Sequence, residues 1–517
     1  MTTTCCRRYI GSQFYKYASC RFKATMAAIL TPECETEHVK SFEDIPGPPS
    51  PPFLGALVHH FPFGAFHGKT PPQIYEMCRQ KYGDIYKERI FHFSFVHLFD
   101  PDDFETVFRA DGKYPIREAF MTLTHYNKKY NGNVQGIITS QNETWQKLRS
   151  TFQQKMLRPK AVAAYFDEQS KVADELVEKI SRTKCVNGII EDLRSDLTKF
   201  ATEGIGLVCF NKRFDLLLSK EENAEARKFL YSVRVIMETT HNEFRRLPFY
   251  KLFETPSYKE FVKAKIFVKE MANKYSKQAL KEMEERSKDG TEVDGENGDL
   301  IPYLMSKSSL TEEEVFKVIS EFILVGVDTT SHHIAYMLYL LGTHPEVQEK
   351  LYEEMSRHID NTLSIDNLQQ MTYLKAVDKE VHRMLPVAGG TIRRLTQDIN
   401  LRGYHIPAGT TIAVHWEQSM LDEVNFKDAL SFKPERWLRE NADRKEIHPF
   451  AAIPFGVGQR SCIGRRFAEQ ETFLAVVKIL QSYQIEYVGE DLKLDYGVNV
   501  APATKMRFQF TPRNPKD

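Results

Sequence analysis

The chain has 517 residues, with 70 lysines and arginines against 70 aspartates and glutamates, and 42% of it is hydrophobic. Zero formal net charge excludes a whole-protein field for nucleic acid, and the ordinary apolar and charged fractions exclude a disordered chain. The length calls for either several domains or one large fold around one site.

The eight cysteines (Cys5, Cys6, Cys20, Cys34, Cys78, Cys185, Cys209 and Cys462) include no pair at CxxC spacing, so their spacing indicates neither a disulfide framework nor a zinc site. Arg7, Arg8, Lys16, Arg21 and Lys23 meet no acidic residue before Glu33. This is transit-peptide composition, expected over residues 1–40, against the blander reading of a basic tail. No apolar run near this end approaches the roughly 20 residues of a membrane span. Residues 41–52, centred on Ile45-Pro46-Gly47-Pro48-Pro49, read as a stiff proline-rich hinge, because proline fixes φ and pushes its predecessor toward extended geometry. The body is then 53–517.

Within the body, short strands are expected at Ile85–Lys87 and Val96–Phe99. Trp145 and Arg149 lie four apart and share a helix face if that stretch is helical. Helical spacing marks Leu176–Ile180 and the amphipathic run Lys263–Glu285, and the charged, glycine-containing Ser287–Gly298 reads as an exposed loop. A long apolar helix is expected from Glu312 to Thr343, with Val325-Gly326-Val327-Asp328-Thr329-Thr330 in its middle. Gly, Asp and Thr are mediocre helix formers, so the segment is either functional or a kinked structural helix with capped carbonyls. Lys375 and Lys379 share one helical face, and Glu380 and Arg383 form an i, i+3 pair. A hairpin is expected over Leu401–Thr411 and a helix over Ala468–Ile479. No internal repeat appears, and one large, mainly α domain with small β-sheets follows.

Phe455-Gly456-Val457-Gly458-Gln459-Arg460-Ser461-Cys462-Ile463-Gly464 carries the most chemistry. Its glycines permit positive φ and close backbone approach, and a thiolate ligand needs a lowered thiol pKa and N–H donors turned toward sulfur. The alternative is a buried structural cysteine beside a turn.

This FxxGxRxCxG loop, with Glu380-Val381-His382-Arg383 and Phe432-Lys433-Pro434-Glu435-Arg436-Trp437, resembles the cytochrome P-450 family from about Pro46 to the C-terminus. The resemblance implies a single haem-thiolate domain with Cys462 as axial ligand to the iron of haem b. It sets Trp145, Arg149, Arg393 and Arg460 against the haem propionates, with Arg394 turned away by strand alternation. Asp328 and Thr329 become the proton relay to dioxygen, and Val325 replaces the usual small residue and narrows that space. Glu380, Arg383 and Arg436 become a buried triad supporting the cysteine loop. Phe120–Tyr130, Phe322–Val325, Val387–Thr391 and Val498–Ala501 become the substrate lining.

The basic leader and the lysine pair resemble the animal mitochondrial branch. That branch implies a matrix location, peripheral contact with the inner membrane, and an acidic [2Fe–2S] ferredoxin, with its NADPH-dependent reductase, docking on Lys375, Lys379 and the arginines after the ligand loop, Arg465 and Arg466. The expected activity is hydroxylation of a lipophilic, sterol-like or xenobiotic substrate. An electron-independent haem-thiolate isomerase or dehydratase, which would not need Asp328 and Thr329, and a non-catalytic haem sensor or carrier are the rivals.

Overall fold

The computed structural model describes residues 39–91, 93–132, 134–219, 224–241, 248–288, 299–307, 309–360 and 362–513. The basic leader lies outside them except for its last two positions. Five helices position the site: α1 (Asn142–Met156), α2 (Arg194–Phe210), α3 (Glu312–Thr343), α4 (Thr372–Met384) and α5 (Arg465–Ser482). Helix α3 has the bounds its apolar run predicts. Thr311 opens it with a capping box, its hydroxyl accepting from the Glu314 N–H while the Glu314 carboxylate accepts from the Thr311 N–H. Pro345 stops it, having no N–H to continue the ladder.

Helix α3 is apolar nearly all round and accordingly buried. One core cluster joins its N-terminal half to α1, α2 and the helix Pro256–Lys288, and a second joins its C-terminal half to α4 and α5. Gly326 marks where α3 meets α2: a Cβ there would stand 2.9 Å from Ile205 Cδ1. Close helix approach therefore accounts for this glycine within a helix that is continuous from 312 to 343.

Strands β1 (Ile85–Ile90), β2 (Phe93–Leu98), β3 (Thr391–Arg394) and β4 (Thr411–Val414) form one sheet in the order β1-β2-β4-β3, antiparallel except for β2 beside β4. Smaller sheets pair Ile399–Leu401 with Tyr404–Ile406, Leu494–Tyr496 with Val500–Pro502, and Phe508–Pro512 with both Ile189–Ile190 and Tyr483–Tyr487. The expected 401–411 hairpin is corrected. The true hairpin turns at Arg402 and Gly403, both at positive φ, and Thr411 belongs to β4. Pro407 and the positive φ of Gly409 redirect the chain between the two sheets. The expected 287–298 loop is shifted as well, because Ser287 and Lys288 complete the helix Pro256–Lys288, while 289–298 lie outside the described residues.

The stretch expected as a hinge is docked on the body. Ile45 is buried and the Lys87 N–H donates to the Pro46 carbonyl at 2.7 Å, while just before the hinge the Lys40 N–H donates to the Gly403 carbonyl at 2.8 Å. Only glycine fits at 47, where a Cβ would fall 1.9 Å from the Lys87 carbonyl oxygen.

Candidate active site

The cysteine loop folds back on itself through two glycines at positive φ, Gly456 (68°) and Gly458 (71°). The Cys462 N–H donates to the Phe455 carbonyl at 2.8 Å, closing the loop, and α5 begins three residues later. Burial pushes the Cys462 thiol up, while a hydrogen bond from the Gly464 backbone and the charges of Arg149, Arg117 and Arg465 pull it down, leaving it above its ordinary value. The residue nonetheless remains accessible. The loop thus supplies the expected donor and cations but does not by itself deliver a lowered thiol pKa.

Around this loop stand four arginines. Helix α1 buries Trp145 and Arg149 on one face, and Arg149 Nη1 donates to the Ser461 carbonyl at 2.8 Å. Arg460 lies over the Trp145 ring, with Nε donating to the Pro115 carbonyl and Nη2 to the Ser140 carbonyl and Gln141 Oε1. Arg393 points inward from β3, 2% exposed, and pairs with Asp111 at 2.9 Å. Arg394 points out to Glu118, as strand alternation predicts. Arg117, which sequence reasoning missed, is the fourth. It sits in a loop with no periodicity, and its backbone is gripped at both N–H and C=O by the Gln141 side chain.

Burial, then Arg117, Arg393 and Arg149, drive the Arg460 guanidinium well below its ordinary value. Arg460 Nη1 and Arg117 Nε are buried with no hydrogen-bond partner in the protein. Clustered, desolvated guanidiniums with spare N–H groups are a site for a ligand carrying carboxylates.

On α3, burial and then the charge of Glu238 raise the Asp328 carboxyl to about 6. Thr329 Oγ1 donates to the Val325 carbonyl at 2.7 Å, which leaves its lone pairs free to accept.

The cytochrome P450 family matches residues 46–504. The chain belongs to the cytochrome P450 family. Among its relatives, "Cytochrome P450 10" of Lymnaea stagnalis is 30% identical, covering 95% of this chain and 89% of that protein. The mouse "1,25-dihydroxyvitamin D(3) 24-hydroxylase, mitochondrial" is 30% identical, covering 94% and 91%. "Probable cytochrome P450 12d1 proximal, mitochondrial" of Drosophila melanogaster is 28% identical, covering 92% of each. The cytochrome P450 described here is a haem-thiolate monooxygenase of the mitochondrial-type branch. Its own residues fit that cofactor: an accessible cysteine with a backbone donor to sulfur, and buried guanidinium nitrogens without partners that could take carboxylates.

Elsewhere in this P450, Glu380 is fully buried and its carboxylate accepts five hydrogen bonds. They come from Arg383 Nε and Nη2, Arg436 Nε, the Lys433 N–H and Trp437 Nε1, all between 2.7 and 3.0 Å. Arg383 also donates to the Met420, Ala429 and Ser431 carbonyls, so the expected triad pins the segment 420–437 to α4. Trp437 is an additional partner that the sequence does not single out for this role.

Lys379 is an exposed residue whose ammonium lies over the Trp437 ring, and Lys375 donates to the Gln369 carbonyl. After burial, Arg444 and Arg465 lower the Lys379 ammonium most, against Asp378 and Glu469, so Arg444 lies with Arg465 near Lys379. Arg466 is exposed at the start of α5. The lining segments converge in part: the Val500 N–H donates to the Val387 carbonyl at 2.7 Å, and Phe120 and Val325 pack on the same core cluster. Among the described residues no helix is long and apolar enough to cross a membrane.

Proposed function

We propose that this enzyme hydroxylates a lipophilic, sterol-sized substrate with Cys462 as the axial ligand of haem b. We further propose that electrons come from NADPH through a ferredoxin reductase and a [2Fe–2S] ferredoxin in the mitochondrial matrix. The observation that carries the reading is Cys462 in its glycine loop, with a backbone donor at sulfur and four arginines nearby. The mouse relative's printed name supports a sterol-sized substrate. The acid-free basic stretch before Glu33 and two relatives named mitochondrial support the compartment. Exposed Phe53, Phe63, Leu252 and Phe253 support peripheral contact with a membrane.

Haem, when bound, supplies the activation of dioxygen and the oxidation of the C–H bond. The chain does the rest. Cys462 presents sulfur, with the Gly464 N–H and the arginine charges favouring its anionic form. Arg460, Arg117, Arg149 and Arg393 would hold the cofactor's carboxylates, and Trp145 braces Arg460. Asp328, its carboxyl raised to about 6, releases and regains a proton close to neutral pH, and Thr329 Oγ1, its own proton committed to Val325, accepts from a water and orients it. Glu380, Arg383 and Arg436 keep the cysteine loop's foundation fixed. Lys375, Lys379, Arg465 and Arg466 steer an acidic partner to that side.

The test is Cys462→Ser against the parent, both reconstituted with ferredoxin, its reductase and NADPH. The parent should give the red-shifted reduced carbon monoxide band of thiolate ligation and steady oxygen consumption coupled to product, and Cys462→Ser should lose both. An unchanged band in the variant removes the ligand assignment. Turnover without NADPH favours an isomerase, and better turnover with a microsomal diflavin reductase removes the ferredoxin.

A further inference from the structure

One buried polar cluster is used by none of this chemistry. His333 on α3 faces Asp378 and His382 on α4, which share one face at i, i+4 spacing. All three are at most 7% exposed, and their neighbours Leu374, Val377, Val381 and Ile334 are fully buried apolar residues. Asp378 Oδ1 lies 2.7 Å from His333 Nε2 and 3.9 Å from His382 Nε2, and the two imidazoles stack with centroids 3.7 Å apart. One ligand atom from each residue lies within 4.8 Å of both others.

The hydrogen bond between His333 and Asp378 accounts for one ring only. Both nitrogens of His382, and Nδ1 of His333, are buried with no hydrogen-bond partner. Burying three polar side chains in an apolar layer while leaving nitrogens unmatched is costly unless a ligand answers them. Burial, then His333, pushes the His382 imidazole down to about 3, so it is neutral at physiological pH with a lone pair to offer. Arg465 is the nearby cation that would oppose a second positive charge, and its guanidinium is already engaged by Glu469 at 2.7 Å.

We propose that His333, Asp378 and His382 form a buried site for one divalent transition-metal ion of the zinc type, which rivets α3 to α4. Two imidazoles and one carboxylate are a donor set that suits zinc, and a tetrahedral site with bonds of about 2.0 Å spaces its donors by roughly 3.3 Å. The present 2.7 and 3.9 Å separations bracket that spacing, and turning one imidazole out of the stack about its side-chain torsions aims both rings at one ion. His382 also packs edge-on against Phe455 at the start of the cysteine loop, which places the rivet beneath the loop's first residue. The site is independent of the proposed reaction.

The experiment uses haem-loaded enzyme, treated with chelator, equilibrated with zinc sulfate and desalted. Mass spectrometry should find zinc equal to haem iron, and zinc K-edge absorption should show nitrogen and oxygen ligands with imidazole scattering and no sulfur. Asp378→Asn and His382→Leu should each weaken zinc binding by about tenfold or more while keeping the parent's reduced carbon monoxide band. Zinc retention in the parent no greater than in a folded variant, or a sulfur-ligated edge spectrum, overturns the proposal. Should both variants fail to fold, the parent's stoichiometry and edge spectrum decide it.

Discussion

The Arg460 guanidinium carbon lies 3.9 Å from the centre of the Trp145 ring, so the tryptophan of α1 is locked to the loop that carries Cys462. A desolvated cation–π contact of this kind contributes about 2 kcal/mol. Trp145→Leu should therefore lower the haem-to-protein ratio by releasing Arg460. Arg117→Leu and Arg460→Leu should lower it further, each removing an unpartnered N–H donor. Equal haem content in all three would detach these residues from the cofactor.

Glu380→Gln replaces a carboxylate that two buried arginines share. Removing one partner of a buried ion pair costs about 3–5 kcal/mol, because the remaining charges stay desolvated. The variant should accumulate poorly, unfold at lower temperature and hold little haem, whereas Lys375→Gln on the same helix should do none of this. A Glu380→Gln melting curve matching the parent's would contradict the support role.

Asp328 titrates at about 6 because burial raises it. Product formed per NADPH should therefore change through one step near that pH, and Asp328→Asn should flatten the step while substrate binding persists. Thr329→Ala should keep haem and substrate binding but divert electrons to peroxide, since nothing then orients the water. Parental coupling in Thr329→Ala would remove it from the relay.

Glu471 on α5 is fully enclosed, and burial raises it to about 8 against the hydrogen bond from Gln169. The folded chain holds a proton that the unfolded chain releases above about 4.5, so this residue's contribution to stability falls as pH rises from there through about 8. Glu471→Gln cannot ionise. Its stability relative to the parent should improve with rising pH, by an amount on the order of a few kcal/mol at the alkaline end. Thermal melts at pH values on either side of the window check the sign, and a constant offset would exclude the buried acid as the cause.

Lys375→Gln with Lys379→Gln should slow ferredoxin-driven turnover at low salt and flatten its salt dependence, leaving haem content unchanged. Arg444→Gln should add to the effect, since Arg444 lies near Lys379. Stopped-flow reduction at several ionic strengths measures it, and parental rates at low salt would place the partner elsewhere.

What the sequence determined by itself were features written in local order. The apolar run with its Thr311–Glu314 cap sets the limits of α3, alternation turns Arg393 inward and Arg394 outward, and the glycine spacing marks the Cys462 loop. Each depends on neighbours within a few residues, so each leaves a period or a signature.

Tertiary structure decided the rest. Arg117 sits in a loop without periodicity and becomes a site residue only because Gln141, Arg149, Arg393 and Arg460 converge on it. Trp437 finds Glu380 across 57 positions, and Gly326 is explained only when α2 presses Ile205 against it. His333 and His382 read as ordinary helix residues until two helices stack their rings in the core. Burial and charge at such places are sums over contacts distant along the chain, and no local pattern encodes a sum of that kind.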